Sequence, residues 1–175
     1  MANFLQAILD HLKALWPVRI IDADCQGVRF TIGKHVSLLQ PGLHFFCPGL
    51  QEIEEVAVAY QEIDCSLQSM QTSDDLSVTF SANVGYEIKD AVKWRIKVHH
   101  FDGSIERAAR GYLGDLINQT DYETIRSHTG EFGDQVRVML QKKAKLWGVK
   151  IVSVHLADFV KARQYRFLGN ETPIL

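Results

Sequence analysis

The residues from Leu76 to Ile88 restrict what this chain can fold into more than any other stretch. Every even position is apolar or small (Leu76, Val78, Phe80, Ala82, Val84, Tyr86 and Ile88), whereas the odd positions are Ser77, Thr79, Ser81, Asn83, Gly85 and Glu87. A period of two over this length predicts a strand with one face in a core and the other in water. Thr72-Ser73-Asp74-Asp75 precedes it, and short oxygen-bearing side chains of this kind bond their own backbone and reverse the chain. The strand is therefore expected to enter through a tight reversal and to pair with a strand just upstream.

Upstream of this stretch the pattern is one of short strands punctuated by glycine. Val18 to Ala23 and Val28 to Ile32 flank a reversal read at Asp22 to Gly27, and Gly33-Lys34 makes a second reversal before a strand from His35 to Leu39. Pro41-Gly42 fits the central positions of a type II turn. Glu52 to Asp64 reads as one strand with Val56, Val58 and Tyr60 on one face, and Ile53, out of phase with them, points to a bulge near Glu54.

Beyond Asp90 the apolar period lengthens to three or four. Asp90 is read as the N-cap of a short helix carrying Val92, Trp94 and Val98. A second helix from about Ser104 buries Ile105, Ala108, Ala109, Tyr112, Leu113, Leu116 and Ile117. Thr120 to Glu123 has capping-box spacing. A third helix from about Glu131 shows Phe132, Val136, Met139, Leu140 and Trp147 and ends at Gly148, suited to a left-handed cap. Val149 to Ala157 closes the order as a strand. Strands, then helices, then a strand make an α+β fold rather than regular βαβ alternation.

The N-terminal stretch carries a separate signal. Phe4, Leu5, Ile8, Leu9, Leu12, Leu15 and Trp16 recur at steps of three and four, giving one apolar stripe on a helix that Pro17 stops. Such a helix is about 20 Å long. It can lie in a bilayer interface as an in-plane anchor, or pack on the protein's own core or on a partner. Lys13 and Arg19 are the nearby basic residues, so apolar burial has to supply most of any membrane affinity.

Composition narrows the function classes. The chain has 175 residues, 46% hydrophobic, enough for one sizeable core, and its net charge of −2 gives no basic footprint for nucleic acid. Cys25, Cys47 and Cys65 form no Cys-x-x-Cys pair, and free thiols in a reducing compartment are expected. No apolar run approaches the roughly 20 residues of a membrane span, and no signal-peptide pattern is present. Seven histidines, including the pair His99-His100, show no ligand spacing, so no metal or other cofactor is expected. Nucleophile-elbow, P-loop and dinucleotide motifs are missing, and Glu54-Glu55 and Asp74-Asp75 read as solvated carboxylates, so no catalytic residue and no enzyme activity is expected.

Taken together, Gly27-Val28, Gly33-Lys34, Pro41-Gly42-Leu43-His44-Phe45 with Pro48, Thr72-Ser73-Asp74 before the alternating strand, Tyr86 to Asp90, and Trp147-Gly148-Val149 follow a known order. From about residue 18 to 159 the chain resembles the SPFH domain shared by stomatins, prohibitins and flotillins. The resemblance implies a non-catalytic α+β domain that sits against a membrane, forms homo-oligomers, and organises lipids and membrane proteins such as proteases or channels. It places the chain on the cytoplasmic face of a membrane, with the stripe from Phe4 to Trp16 as the peripheral contact. The alternative is a soluble adaptor whose stripe packs on protein. Some relatives are acylated near their membrane segment, which implies Cys47, beside Phe45 and Phe46, as the first acylation candidate and Cys25 as the second. Family members usually continue into a long coiled-coil helix, whereas residues 160–175 carry Gly169 and Pro173 without heptads. The expected organisation is an amphipathic helix over 1–17, the SPFH-like domain over 18–159 and a tail over 160–175, a short form without that helix.

Overall fold

The computed structural model of the protein describes residues 17–162. The proposed helix from Phe4 to Trp16 and most of the tail lie outside the described residues. Eight strands come as β1 (Val18–Ile21), β2 (Cys25–Thr31), β3 (His35–Leu39), β4 (Gly42–Phe45), β5 (Gln51–Ala57), β6 (Gln61–Gln71), β7 (Ser77–Ile88) and β8 (Val149–Lys161). Between β7 and β8 lie helices α1 (Ala91–Lys97), α2 (Phe101–Gln119), α3 (Tyr122–Ser127) and α4 (Thr129–Ala144), and a 3-10 turn (Lys145–Trp147). This is the expected α+β order.

The alternating stretch is the middle of the sheet β6-β7-β8, antiparallel to both neighbours. Val78, Phe80, Ala82, Val84, Tyr86 and Ile88 are all buried, and the odd positions lie on the opposite, partly exposed face. Helices α2 and α4 cover the buried face with Ile105, Ala109, Leu113 and Ile117 from one and Phe132, Val136 and Leu140 from the other. Apart from Ala109, each such side chain, when fully buried, contributes roughly 1.5–3 kcal/mol of transfer free energy. The predicted reversal is held from both ends: Thr72 Oγ1 accepts from Leu76 N at 3.3 Å, and Ser73 N donates to Thr120 O at 3.1 Å, tying the hairpin to the junction of α2 and α3.

The N-terminal half forms the sheet β3-β2-β5 and a two-stranded ribbon, β1-β4. Here the structure corrects several expectations. Gly27 is not in the reversal but inside β2, because Ile21 of the ribbon packs on it: a Cβ there would lie 2.3 Å from Ile21 Cδ1. Pro41-Gly42 does not form the expected type II turn. Gly42 takes a φ of 131°, wider than the roughly 80° of a type II turn, and starts β4, which crosses to β1 instead of pairing with β3. The stretch from Glu52 to Asp64 is two strands, and β5 has no bulge: its register on β2 is unbroken from Gln51 to Ala57, with Ile53 on the face away from Val56. The bulge lies in β6, between Cys65 and Gln68.

Helix ends follow local chemistry. Asp90 caps α1, its Oδ1 accepting from Lys93 N at 2.9 Å. Helix α2 begins at Phe101, earlier than Ser104, since Phe101 is buried against Tyr86 and Trp147. The cap of α3 is Asp121, not Thr120; its Oδ2 accepts from Thr124 N at 2.9 Å. Gly148 ends the helical segment at φ 75°, the left-handed cap expected.

Helix α1 joins the two halves. It packs on β2 and β3, and the Arg95 guanidinium grips both oxygens of Glu54 on β5, with Nη2 donating to Oε1 at 2.8 Å. The hydrogen bonds from Arg95 hold the Glu54 carboxyl below its ordinary pKa; burial opposes and the guanidinium charge reinforces the shift. Val28 and Val56 consequently belong to the same core as β7 and the helices.

Two outcomes follow from this packing. Gly133→Ala should lower stability by roughly 1–3 kcal/mol in urea denaturation, because its Cβ would meet the Val154 carbonyl oxygen of β8 at 2.2 Å; Gly111→Ala, on an open helix face, should instead raise it by about 1 kcal/mol. Arg95→Gln should cost up to about 1 kcal/mol at neutral pH, since both partners are about one-third exposed. Glu54 is depressed in the folded state, so its contribution is present above the unfolded carboxyl pKa and is lost as pH falls through the folded value. The gap between wild type and Arg95→Gln in denaturation curves should therefore close on acidification; a gap independent of pH would refute the ion-pair account.

Candidate membrane and partner surface

The ribbon has one apolar face and an opposite face that carries Arg19, Ile21 and His44. In register, Val18 faces Phe45 and Ile20 faces Leu43, so the four side chains share one face, while Ile21 points the other way into the core. On the outer face Ile20 is 65% exposed, Leu43 58% and Phe45 70%. A salt bridge from Arg19 to Glu55 at 3.0 Å fastens the ribbon to β5.

Hydrogen bonds place the neighbouring loops at one end of this ribbon. Phe46 N donates to Pro17 O at 3.0 Å, Leu50 N and Gln51 N both donate to Cys47 O, and Ile32 N donates to Leu50 O at 2.8 Å. Pro17, Cys47, Leu50 and the Ile32 turn thus lie together. Ile32 and Leu50 are exposed here. Ile32 also has a φ of 51°, followed by Gly33 at 64°, so a β-branched residue occupies the left-handed region that Gly or Asn ordinarily fills. A strained, exposed isoleucine at a turn tip is chemistry that folding alone does not require.

Beside this end runs an open groove of about 590 Å³, walled by Phe30, Ile32, Leu50 and Ile96, with the Glu54-Arg95 pair in its lining. Carboxylate and guanidinium satisfy each other there, and Gln51 and Glu52 also line the groove, which is therefore of mixed polarity. Trp94 Nε1 and Gln26 Oε1 are buried without a hydrogen-bond partner among the described residues.

The predicted site residues divide as follows. Phe4, Leu5, Ile8, Leu9, Leu12, Leu15 and Trp16 lie outside the described residues, and the segment they occupy joins the structure at Pro17, in the apolar end just described. Cys47 is exposed in that same end. Cys25 is half-buried and away from it, at the start of β2; burial, then the Asp24 carboxylate, raises its thiol pKa. Cys65 is buried in the core and its thiol is pushed up to about 11 by desolvation. His99 and His100 lie side by side, their rings tilted by 56° with centroids 4.7 Å apart, and among the described residues no three His, Cys, Asp or Glu side chains converge. Among the described residues, too, no helix is long and apolar enough to cross a membrane.

Ile20, Leu43, Phe45 and Ile32 were legible in sequence only as strand and turn residues. The available signal was weak: apolar residues on both faces of β1, and an isoleucine where a turn calls for glycine.

A family model described as SPFH domain / Band 7 family matches residues 19–166. The chain is similar to a protein of Archaeoglobus fulgidus, 26% identical over 147 residues that cover 84% of this chain and 59% of the other. It is also similar to a stomatin homolog of Pyrococcus horikoshii, 23% identical over 81% of this chain and 53% of the other, and to stomatin-4 of Caenorhabditis elegans, 22% identical over 84% and 53%. The chain spans between half and three-fifths of the length of these relatives. With the antiparallel sheets, the helical cover and the family match extending over most of the residues, the chain belongs to the SPFH domain / Band 7 family.

Proposed function

We propose that the protein is a non-catalytic scaffold or regulator that rests on the cytoplasmic face of a membrane, self-associates, and organises lipids or a membrane protein such as a protease or channel. The observation that supports this reading most directly is the outward apolar face of the ribbon, Ile20, Leu43 and Phe45, at the end that includes Pro17, Leu50 and Ile32. Contiguous exposed apolar surface of this kind marks a contact with lipid or protein. The stripe from Phe4 to Trp16 is attached there, so both surfaces meet one interface in this reading. Cys47 then lies where an acyl chain reaches the same bilayer, and Cys25 does not.

A soluble adaptor is the second reading, and the groove between the Ile32 turn and α1 favours it, since a helix or peptide can lie in a trough of this size and mixed polarity. In it the N-terminal stripe packs on the protein itself or on a partner.

Liposome flotation separates the two. Ile20→Ser with Leu43→Ser and Phe45→Ser should release the protein from vesicles with little change in melting temperature, because all three are exposed. Ile32→Asn should weaken flotation while raising stability by about 1 kcal/mol, through relief of the left-handed isoleucine. Leu9→Glu with Leu12→Glu should abolish flotation of a still-folded chain; a lowered melting temperature or a lost complex would move the stripe to the adaptor reading. Mass spectrometry of the protein from its native host should find acyl groups on Cys47, and an unmodified Cys47 removes the acylation proposal.

A further inference from the structure

The carboxyl end of α4 and the segment after it are strongly basic in a chain whose net charge is −2. Residues 135–157 contain no Asp or Glu but include Arg137, Lys142, Lys143, Lys145 and Lys150. The fold brings α1 against this segment. Asp90 N donates to Gly148 O at 3.0 Å, and a Cβ on Gly148 would lie 3.1 Å from Lys93 Cβ. Lys97 sits one turn beyond Lys93, about 6 Å along the helix axis. Lys143 Nζ lies 5.6 Å from the centre of the Trp147 ring, which holds that charge beside the 3-10 turn. The result is a ledge of exposed lysines, Lys93, Lys97, Lys142, Lys143 and Lys145. Apart from the pairing of Lys93 with Asp90, these lysines make no ion pair among the described residues.

Helix dipoles favour basic residues at helix C-termini. That accounts for lysines at each end but not for the two large apolar side chains set among them, Leu146 at 71% exposure and Ile96 at 54%. Basic side chains interspersed with exposed apolar ones suit a surface that offers negative charge outside and hydrocarbon beneath. The ledge also adjoins the apolar end, because Ile96 lines the same groove as Ile32 and Leu50, a groove whose lining also includes Glu52.

From these observations we infer that the α1 and 3-10 ledge binds the headgroups of anionic lipids, so that the protein selects negatively charged membrane. The inference rests on the membrane reading above and adds to it the class of lipid. The apolar ribbon supplies affinity for any bilayer, and the lysines supply the preference.

The test uses the full chain and two kinds of vesicle, phosphatidylcholine alone and phosphatidylcholine mixed with phosphatidylserine, at low and high salt. Wild type should bind the mixed vesicles more tightly, and high salt should erase the difference. A lysine beside an anionic surface strengthens binding roughly fivefold, so Lys142→Gln, Lys143→Gln and Lys145→Gln together should cost on the order of a hundredfold on mixed vesicles at low salt and nothing on phosphatidylcholine. The corresponding Lys→Arg chain should bind as wild type does, which separates charge from folding. If the Lys→Gln chain keeps the preference, the ledge is overturned as the lipid site and becomes a surface for an acidic protein. Equal wild-type binding to both vesicles overturns the inference and leaves the membrane reading standing. Binding to neither overturns both.

Discussion

Burial of one face of β7 is the interaction on which the rest of the molecule depends. The strand is paired on both edges and covered on one face, so its alternation cannot slip by a single residue without turning Phe80, Val84 and Ile88 into solvent. That register sets the position of β8, and β8 in turn seats α4, which approaches so closely at Gly133 that no side chain fits between helix and strand. The core is then extended sideways into the N-terminal half through α1, whose Arg95 grips β5.

Stability and surface chemistry are segregated along this arrangement. The large buried side chains cluster around β7 and the helices, while the N-terminal half contributes few, among them Ile21, Val28 and Val56. Among the described residues, no second layer covers the outer face of this two-stranded ribbon, which Ile21 and the Arg19–Glu55 salt bridge fasten to the rest. Its apolar side chains therefore stay in water unless lipid or protein covers them. The left-handed Ile32 belongs to the same pattern: an exposed side chain in a backbone conformation that costs stability within the fold.

Much of the central sheet and of the helices could be read from residues 72–90 and from the three-to-four spacing beyond them, because those elements bury one face and periodicity reports burial directly. The N-terminal half was harder. Gly27 reads as a turn residue, yet it is in a strand because Ile21, six residues earlier, needs the space. Pro41-Gly42 reads as a type II turn, yet the chain crosses to β1, since local turn chemistry does not specify which strand comes next to which. The unbroken Glu52 to Asp64 pattern hid a break at Val58 to Tyr60, where β5 leaves one sheet and β6 joins another.

What the sequence determined by itself was the set of elements whose apolar faces look inward, the caps at Asp90 and Gly148, and, by resemblance, the family. These depend on interactions within a few residues or on a period that any buried face must show. Only the tertiary structure decided which apolar residues remain outside. Ile20, Leu43 and Phe45 have the composition of a core, and their exposure follows from the ribbon having no partner layer among the described residues. Likewise, Lys93 and Lys97 are some fifty residues from Lys142, Lys143 and Lys145, and it is the seating of α1 against Gly148 that makes them one surface. Exposure and proximity are properties of how elements pack, and long-range packing leaves no local periodic trace in a single sequence.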